Sequence, residues 1–263
     1  MIHLVAKDMK EAFLQLNFLF TTWSAVNYKP THSEFQNDHY LNAFNILMEA
    51  DHCSTDLKLE QMGYTRRETD HLLRSYLDPT DYKHWIELIK DTTEKYSRVD
   101  SDIMLTTTKN SKYRQEPRLL GFSFRSHVFP VLTVYSGSVE VSQAYGADTI
   151  LIAAIGEHIK EELDLDTVTV HWYIPSARIS SRAANFFRLF VYPFEEFEYL
   201  NTEFQKHVEK QWDNILTGFE KDASFSRLVR LQNGYKKVII EKKEPEQYTG
   251  TKYFIEKLKV GDW

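Results

Sequence analysis

This 263-residue chain has one cysteine, Cys53, and that scarcity removes whole classes of chemistry. An intramolecular disulfide is impossible, and a Cys-rich zinc site is excluded. No apolar run approaches the length of a membrane span. The first twenty residues carry Lys7, Asp8, Lys10 and Glu11 in an amphipathic pattern, which does not read as a secretory signal. The expectation is therefore a cytoplasmic protein with no membrane partner. Positive charge is not in excess either. A net charge of -6 gives no support to nucleic-acid binding. Neither GxxxxGK[ST] nor GxGxxG occurs, so no glycine loop is available to cradle a phosphate, and no HExxH appears among the ten histidines.

What is present is apolar and aromatic. At 42% hydrophobic and 14% aromatic, the chain holds enough material for one substantial core. Helical spacing runs through 7–27 (Met9, Phe13, Leu16, Phe20), 40–50, 56–76 and 80–96, with Pro30 and Pro79 in the breaks. From about 97 the texture changes to short extended runs, SDIMLTTT, LLGFSFR and VLTVYSG. A helix follows over 146–165, apolar on more than one side from Ile150 to Ile155, with Asp148 or Thr149 placed to cap it. TVTVHWYIP (167–175) alternates as a strand with Val168, Val170, Trp172 and Ile174 on one face. A long amphipathic helix is expected over 194–220 and a late strand over 236–243. No repeat or linker divides the chain. The pattern predicts a single α+β domain over 1–263: mostly helical in 1–96, a core in 97–180, then a helix and C-terminal strands in 181–263.

Most candidate sites dissolve into ordinary structure. Cys53 sits beside His52 in a segment with helical spacing, where neighbours do not face each other, so a packed structural thiol is expected. His158 with Glu161 and Glu162 reads as a partly exposed polar edge rather than a metal site. Ser138, in YSGSVEVS, lacks the second glycine of a serine-hydrolase elbow. Arg66, Arg67 and Arg74 read as a solvated helix face, with an anion patch as the alternative.

One stretch, about 97 to 180, resembles the core of the thymidylate synthase family, which includes the pyrimidine hydroxymethylases. The resemblance lies in order and spacing. Ser97 and Arg98 are followed twenty residues after Ser97 by Pro117, then by the strands LLGFSFR and VLTVYSGS, the apolar helix, and the closing strand WYIPSARIS. It implies a mixed sheet with a buried central helix and flanking helices, a homodimer joined through its sheets, a nucleotide or related anionic substrate, and a reduced folate as one-carbon donor. The functional positions match less well. The slot of the nucleophilic cysteine holds Arg118. The phosphate-binding arginine falls on Gly137, its serine on Ser138 and its aspartate on Glu140, while the base-reading asparagine falls on Asp148. The last motif keeps its serine as Ser176 but has Arg178 and Ser180 for its histidine and tyrosine. Arg98 matches the first of two arginines that reach the phosphate across the dimer, and Val99 replaces the second.

Those departures change the chemistry the resemblance implies. The family's reaction needs a thiolate to add to pyrimidine C6, and a guanidinium has no nucleophilic lone pair. Ordinary thymidylate synthesis is not expected. Arg118 has two readings: the remnant of a decayed site, paired with Glu116 or Glu140, or an anion clamp formed with Arg178. Asp148 likewise is a helix cap or a reader of a base edge. Three functions compete. The first is a nucleotide-modifying enzyme using Glu140 and Asp148 as acid–base residues, with Arg98, Arg118, Ser138, Ser176 and Arg178 on the substrate. The second is a non-catalytic nucleotide-binding or partner-binding homologue. The third is a structural protein with an aromatic interface, for which FFRLFVYPFEEF (186–197) supplies the side chains.

Overall fold

The computed structural model describes residues 1–21, 27–28, 40–57, 73–99, 102–107, 119–141, 145–180, 250–261 and 263. The helix and strand expected at 194–220 and 236–243, most of 56–76, the 186–197 aromatics, Arg66, Arg67 and Arg118 lie outside them.

The chain opens with strand β1 (Ile2–Asp8) and turns into helix α1 (Met9–Thr21) at a capping arrangement. Asp8 Oδ1 accepts from the Glu11 amide at 2.8 Å, and Glu11 reaches back to the Lys7 amide at 2.8 Å. A two-residue strand β2 (Asn27–Tyr28) precedes the long strand β3 (Tyr40–His52). Helix α2 (Pro79–Tyr96) starts at the Asp78 cap, which accepts from the Thr80 and Asp81 amides, with proline at the position where a missing N–H costs least. It stops at Ser97, whose φ of 59° is left-handed. Strands β4 (Ile103–Thr106), β5 (Leu119–Arg125), β6 (Val131–Ser136) and β7 (Ser138–Glu140) lead into helix α3 (Tyr145–Glu162). Strand β8 (Thr169–Ser180) and helix α4 (Thr251–Val260) complete the described elements.

Eight strands form one mixed sheet in the order β1-β3-β8-β6-β5-β4, with β2 on β3 and β7 on β8. The β1–β3, β6–β8 and β7–β8 pairs are parallel; β3–β8, β5–β6 and β4–β5 are antiparallel. Helix α3 fills the slot expected of it, with fourteen of eighteen residues buried. Apolar on all sides, it is stable only when surrounded. Val168, Val170, Trp172 and Ile174 are all at 1% exposure or less, on the sheet face beneath it. The α+β architecture with a mixed sheet is thus as expected.

Two expectations fail, for identifiable reasons. Residues 40–50 have helical spacing but form a strand. Leucine, methionine, alanine and glutamate favour helix intrinsically, yet β3 is flanked on both sides by partners, β1 and β8, and ladder pairing overrides a weak propensity. The C-terminal helix α4 had no counterpart among the expected elements.

A row of three residues bends the sheet. In register between Phe44–Ser176 and Ile46–Ile174, and between Tyr135–Tyr173 and Ser138–Ser176, stand Asn45, Pro175 and Gly137. Pro175 donates no ladder hydrogen bond, and Asn45 has φ of 54°. Burial changes sides across this row. Before it, Ile46, Val134, Ser136, Trp172 and Ile174 are buried on the helix face; after it, Ala43, Val139, Ala177 and Ile179 are buried on the opposite parity, with Asn42 still buried on the first.

The C-terminal end of α3 closes on a polar network. His158, expected at an exposed edge, is only 4% exposed, because α2 and α4 cover it. Tyr82 Oη lies 2.8 Å from His158 Nδ1, and His158 Nε2 lies 3.5 Å from Glu162. Glu162 binds Lys90 at 2.6 Å and Glu161 binds Lys259 at 2.5 Å. Trp263 packs edge-on against Tyr82. Burial and nearby Lys259 hold the His158 pKa below its ordinary value, against the opposing pull of Glu162 and Glu161. Glu162 is held low as well, chiefly by its Lys90 hydrogen bond.

Two outcomes follow from this packing. A histidine kept neutral by folding binds its proton more readily unfolded, so stability is complete above its ordinary pKa of about 6.5 and declines as pH falls below it. Glu162 adds a loss of the same sign at lower pH. Thermal melts from pH 8 to 5 should show this decline, and His158→Gln should flatten its first part; an unchanged slope would contradict the assignment. The second outcome concerns Gly156, where an added Cβ would lie 2.5 Å from Cys53 Cβ. Helix propensity favours alanine there by about 1 kcal/mol, but overpacking costs about 1–3 kcal/mol. Gly156→Ala should therefore lower the melting temperature, and a rise would show that the strand end yields freely.

Candidate functional site

Past the bent row, β7 and β8 run in parallel register, and this alone gathers most of the singled-out residues. Ser138 pairs with Ser176, and Glu140 with Arg178. Arg178 Nε lies 3.3 Å from Glu140 Oε2, with the arginine side chain 52% exposed and the glutamate 12%. Ser138 is exposed and Ser176 half-buried. These four share the parity of Trp172 and Ile174, so they extend the helix-bearing face of the sheet beyond the point where α3 begins.

Strand β3 adds two residues that the sequence pattern hid. Phe44, 43% exposed, is the cross-strand partner of Ser176, and Asn42, 8% exposed, is that of Arg178. Reading 40–50 as a helix scattered them; strand pairing sets both on the candidate face. The start of α3 borders the same region. A chain of rings fixes it there: Phe13 stacks on Tyr145 at 5.4 Å, and Tyr145 on Trp172 at 5.3 Å. The Tyr145 hydroxyl donates to the Ala12 carbonyl at 3.0 Å, and Trp172 Nε1–H donates to Ser136 Oγ.

Asp148 is not a cap. It lies inside the first turn of α3, fully buried, because the helix begins earlier, at Tyr145. Its Oδ1 accepts from the Tyr76 hydroxyl at 3.0 Å, so the carboxylate faces the 73–77 segment. Arg98 is exposed and far away. It precedes Val99, which exchanges hydrogen bonds with Ser126 at the β5–β6 turn. That turn adjoins the start of β8, and nine residues of strand separate Thr169 from Arg178, about 30 Å at 3.3 Å per residue. Glu140, which the decayed-site reading paired with Arg118, is held by Arg178. Gly137 belongs to the bent row.

Cys53 is also at the far end. It follows β3 rather than sitting in a helix, is 1% exposed, and its thiol reaches Glu157 at 3.4 Å. Burial, reinforced by Glu157, pushes its pKa up to about 12. From Phe44 to Cys53 is again about 30 Å of strand. Among the described residues no group of three His, Cys, Asp or Glu side chains is arranged to hold a metal, and no helix is long and apolar enough to cross a membrane.

No family model and no curated protein sequence matches the chain. Among solved structures, a thermostable thymidylate synthase A from Bacillus subtilis is similar to it at a TM-score of 0.42 and 8% identity, over 69% of this chain and 83% of that one. A likeness at that score assigns neither family nor activity.

Proposed function

We propose that this chain is a divergent relative of the thymidylate synthases and pyrimidine hydroxymethylases that binds a nucleotide and has lost their thiol chemistry. The observation that carries the reading is the β7–β8 register. Four residues that the sequence resemblance marked separately, Ser138, Glu140, Ser176 and Arg178, fall into one cluster on one face. A guanidinium, two hydroxyls and the positive end of α3 suit a phosphate, and the Phe44 ring suits a base or sugar face.

Glu140 occupies Arg178 in the absence of ligand. A pair with its arginine half exposed contributes about 0–1 kcal/mol, whereas hydrogen bonds to charged groups contribute about 1.5–3 kcal/mol. A phosphate therefore competes with Glu140 for Arg178. Glu140 and Asp148 are both held by protein partners, and we assign them to shaping the site rather than to acid–base work. Reduced folate does not fit the residues present. One-carbon transfer needs a nucleophile on pyrimidine C6, and the chain's one thiol is buried, protonated and at the other end of the sheet.

The uncovered sheet face supports the homodimer. Opposite the helices it presents Val5 and Met104, each 57% exposed, and Tyr173, 41% exposed and stacked on Tyr135 at 5.8 Å. A second copy packed here buries on the order of 2,000 Å². A role for Arg98 at the cluster rests on the resemblance alone and requires a partner copy.

Calorimetry with uridine, cytidine and guanosine 5′-monophosphates tests the binding. At least one should bind, Arg178→Ala should weaken it about ten- to a hundredfold, and Cys53→Ser should leave it within about twofold. No binding by any of the three, or equal binding by Arg178→Ala, would remove the proposal's support. Sedimentation at micromolar concentration should show a dimer; a monomer would remove the sheet-to-sheet contact and the role of Arg98.

A further inference from the structure

Asn17 carries a polar atom that the fold leaves unanswered. It is 3% exposed, and its Nδ2 donates to the Phe13 carbonyl one turn earlier at 2.8 Å. Its Oδ1 is buried with no hydrogen-bond partner. Buried acceptors are almost always satisfied, and an exception calls for a physical reason.

The position of Asn17 supplies one. Helix α1 starts beside the end of β3, where the Met9 amide donates to Ser54 O, and runs back along that strand. At Ala12 and Phe13 it meets Tyr145, the first residue of α3. Asn17 follows Phe13 by four residues on the same helix face, about 6 Å further along. It therefore stands beyond the start of α3, near the level of Ile46, Ile174 and Ser136, next to the row that holds Phe44, Ser176 and Ser138. Three features thus lie near one level of the sheet: the N-terminus of an eighteen-residue helix, the Ser138–Ser176–Arg178 cluster, and a buried unpartnered carbonyl oxygen.

The first two suit an anion and the third repels one. That division defines the ligand. Its anionic group belongs to Arg178 and the start of α3, and its other end must offer an N–H. An aromatic ring spanning the two passes Phe44. Resting on the nucleotide reading above, we infer that Asn17 Oδ1 is the specificity-determining acceptor for a ring N–H on the nucleobase, of the kind that lies beside a carbonyl in uracil or guanine.

Blocking that N–H tests the assignment. Uridine and guanosine 5′-monophosphates are compared with their 3-methyluridine and 1-methylguanosine counterparts, on wild type and on Asn17→Leu, with ribose 5-phosphate as the probe of the anion end. For whichever parent nucleotide binds, N-methylation should weaken wild-type binding about ten- to a hundredfold. Asn17→Leu should weaken the parent by a similar factor and abolish the methyl effect, with ribose 5-phosphate affinity unchanged. Its melting temperature should hold or rise, because the variant removes an unanswered buried acceptor and the Phe13 carbonyl that loses the Nδ2 donor keeps its place in the helix ladder; if it does not fold, Asn17→Ala is measured in the same way. A methyl effect that survives in the variant, or no methyl effect in wild type, overturns the role of Asn17. If ribose 5-phosphate still binds in that case, the anion site stands without it. If no nucleotide and no ribose 5-phosphate bind wild type, both readings fall.

Discussion

The bend across Asn45, Pro175 and Gly137 is the constraint on which the rest of the molecule depends. Three adjacent strands give up regular geometry at the same level: one by a left-handed residue, one by a missing donor, and one by a missing side chain. On one side of that level the sheet is a floor for α3. On the other it is released from the helix, and residues of the same parity change from buried to exposed. Ser176 and Arg178 are accessible because they follow Pro175, not because their strand lies at an edge. β8 is flanked there by β3 and β7.

The ring stack from Phe13 through Tyr145 to Trp172 turns that bend into a site. It ties the first turn of α3 to α1 on one side and to the sheet on the other, so the helix cannot advance over the released strands. Aromatic contacts of this kind contribute about 0.5–1.5 kcal/mol each beyond the area they bury. Added to the hydrogen bonds from Tyr145 and Trp172, they fix the start of α3 to one level of the sheet.

Much of the fold was legible because its elements satisfy local rules. Strands β4, β5 and β6 stand out as short extended runs, β8 alternates, α2 carries an Asp-Pro start, and α3 is apolar on more than one side. β3 was not legible, since its helical spacing and helix-favouring residues are overruled only by two partner strands distant in sequence. That single misreading concealed Phe44 and Asn42 and with them a third of the candidate face. The resemblance marked Ser138, Glu140, Ser176 and Arg178 as positions in a pattern, and the strand register pairs them as neighbours on β7 and β8. Asp148 read as a cap because aspartate before an apolar run usually is one; two unremarkable residues, Tyr145 and Gly146, had already begun the helix. Nothing in the sequence marks Asn17, because an unanswered carbonyl is a property of surroundings.

The two ends of α3 show where stability and function are separated. At its C-terminal end the buried network is partnered: His158 with Tyr82 and Glu162, Glu162 with Lys90, and Glu161 with Lys259. Cys53 is sealed at that end as well. Complete satisfaction in a buried network gives rigidity and leaves nothing for a ligand to do. At the N-terminal end the accounts are open: an acceptor without a donor, and a half-exposed arginine held by a carboxylate. Unsatisfied polarity is costly to fold, and on the proposed reading the buried Asn17 acceptor is the counterpart of a ligand donor rather than a fault of packing.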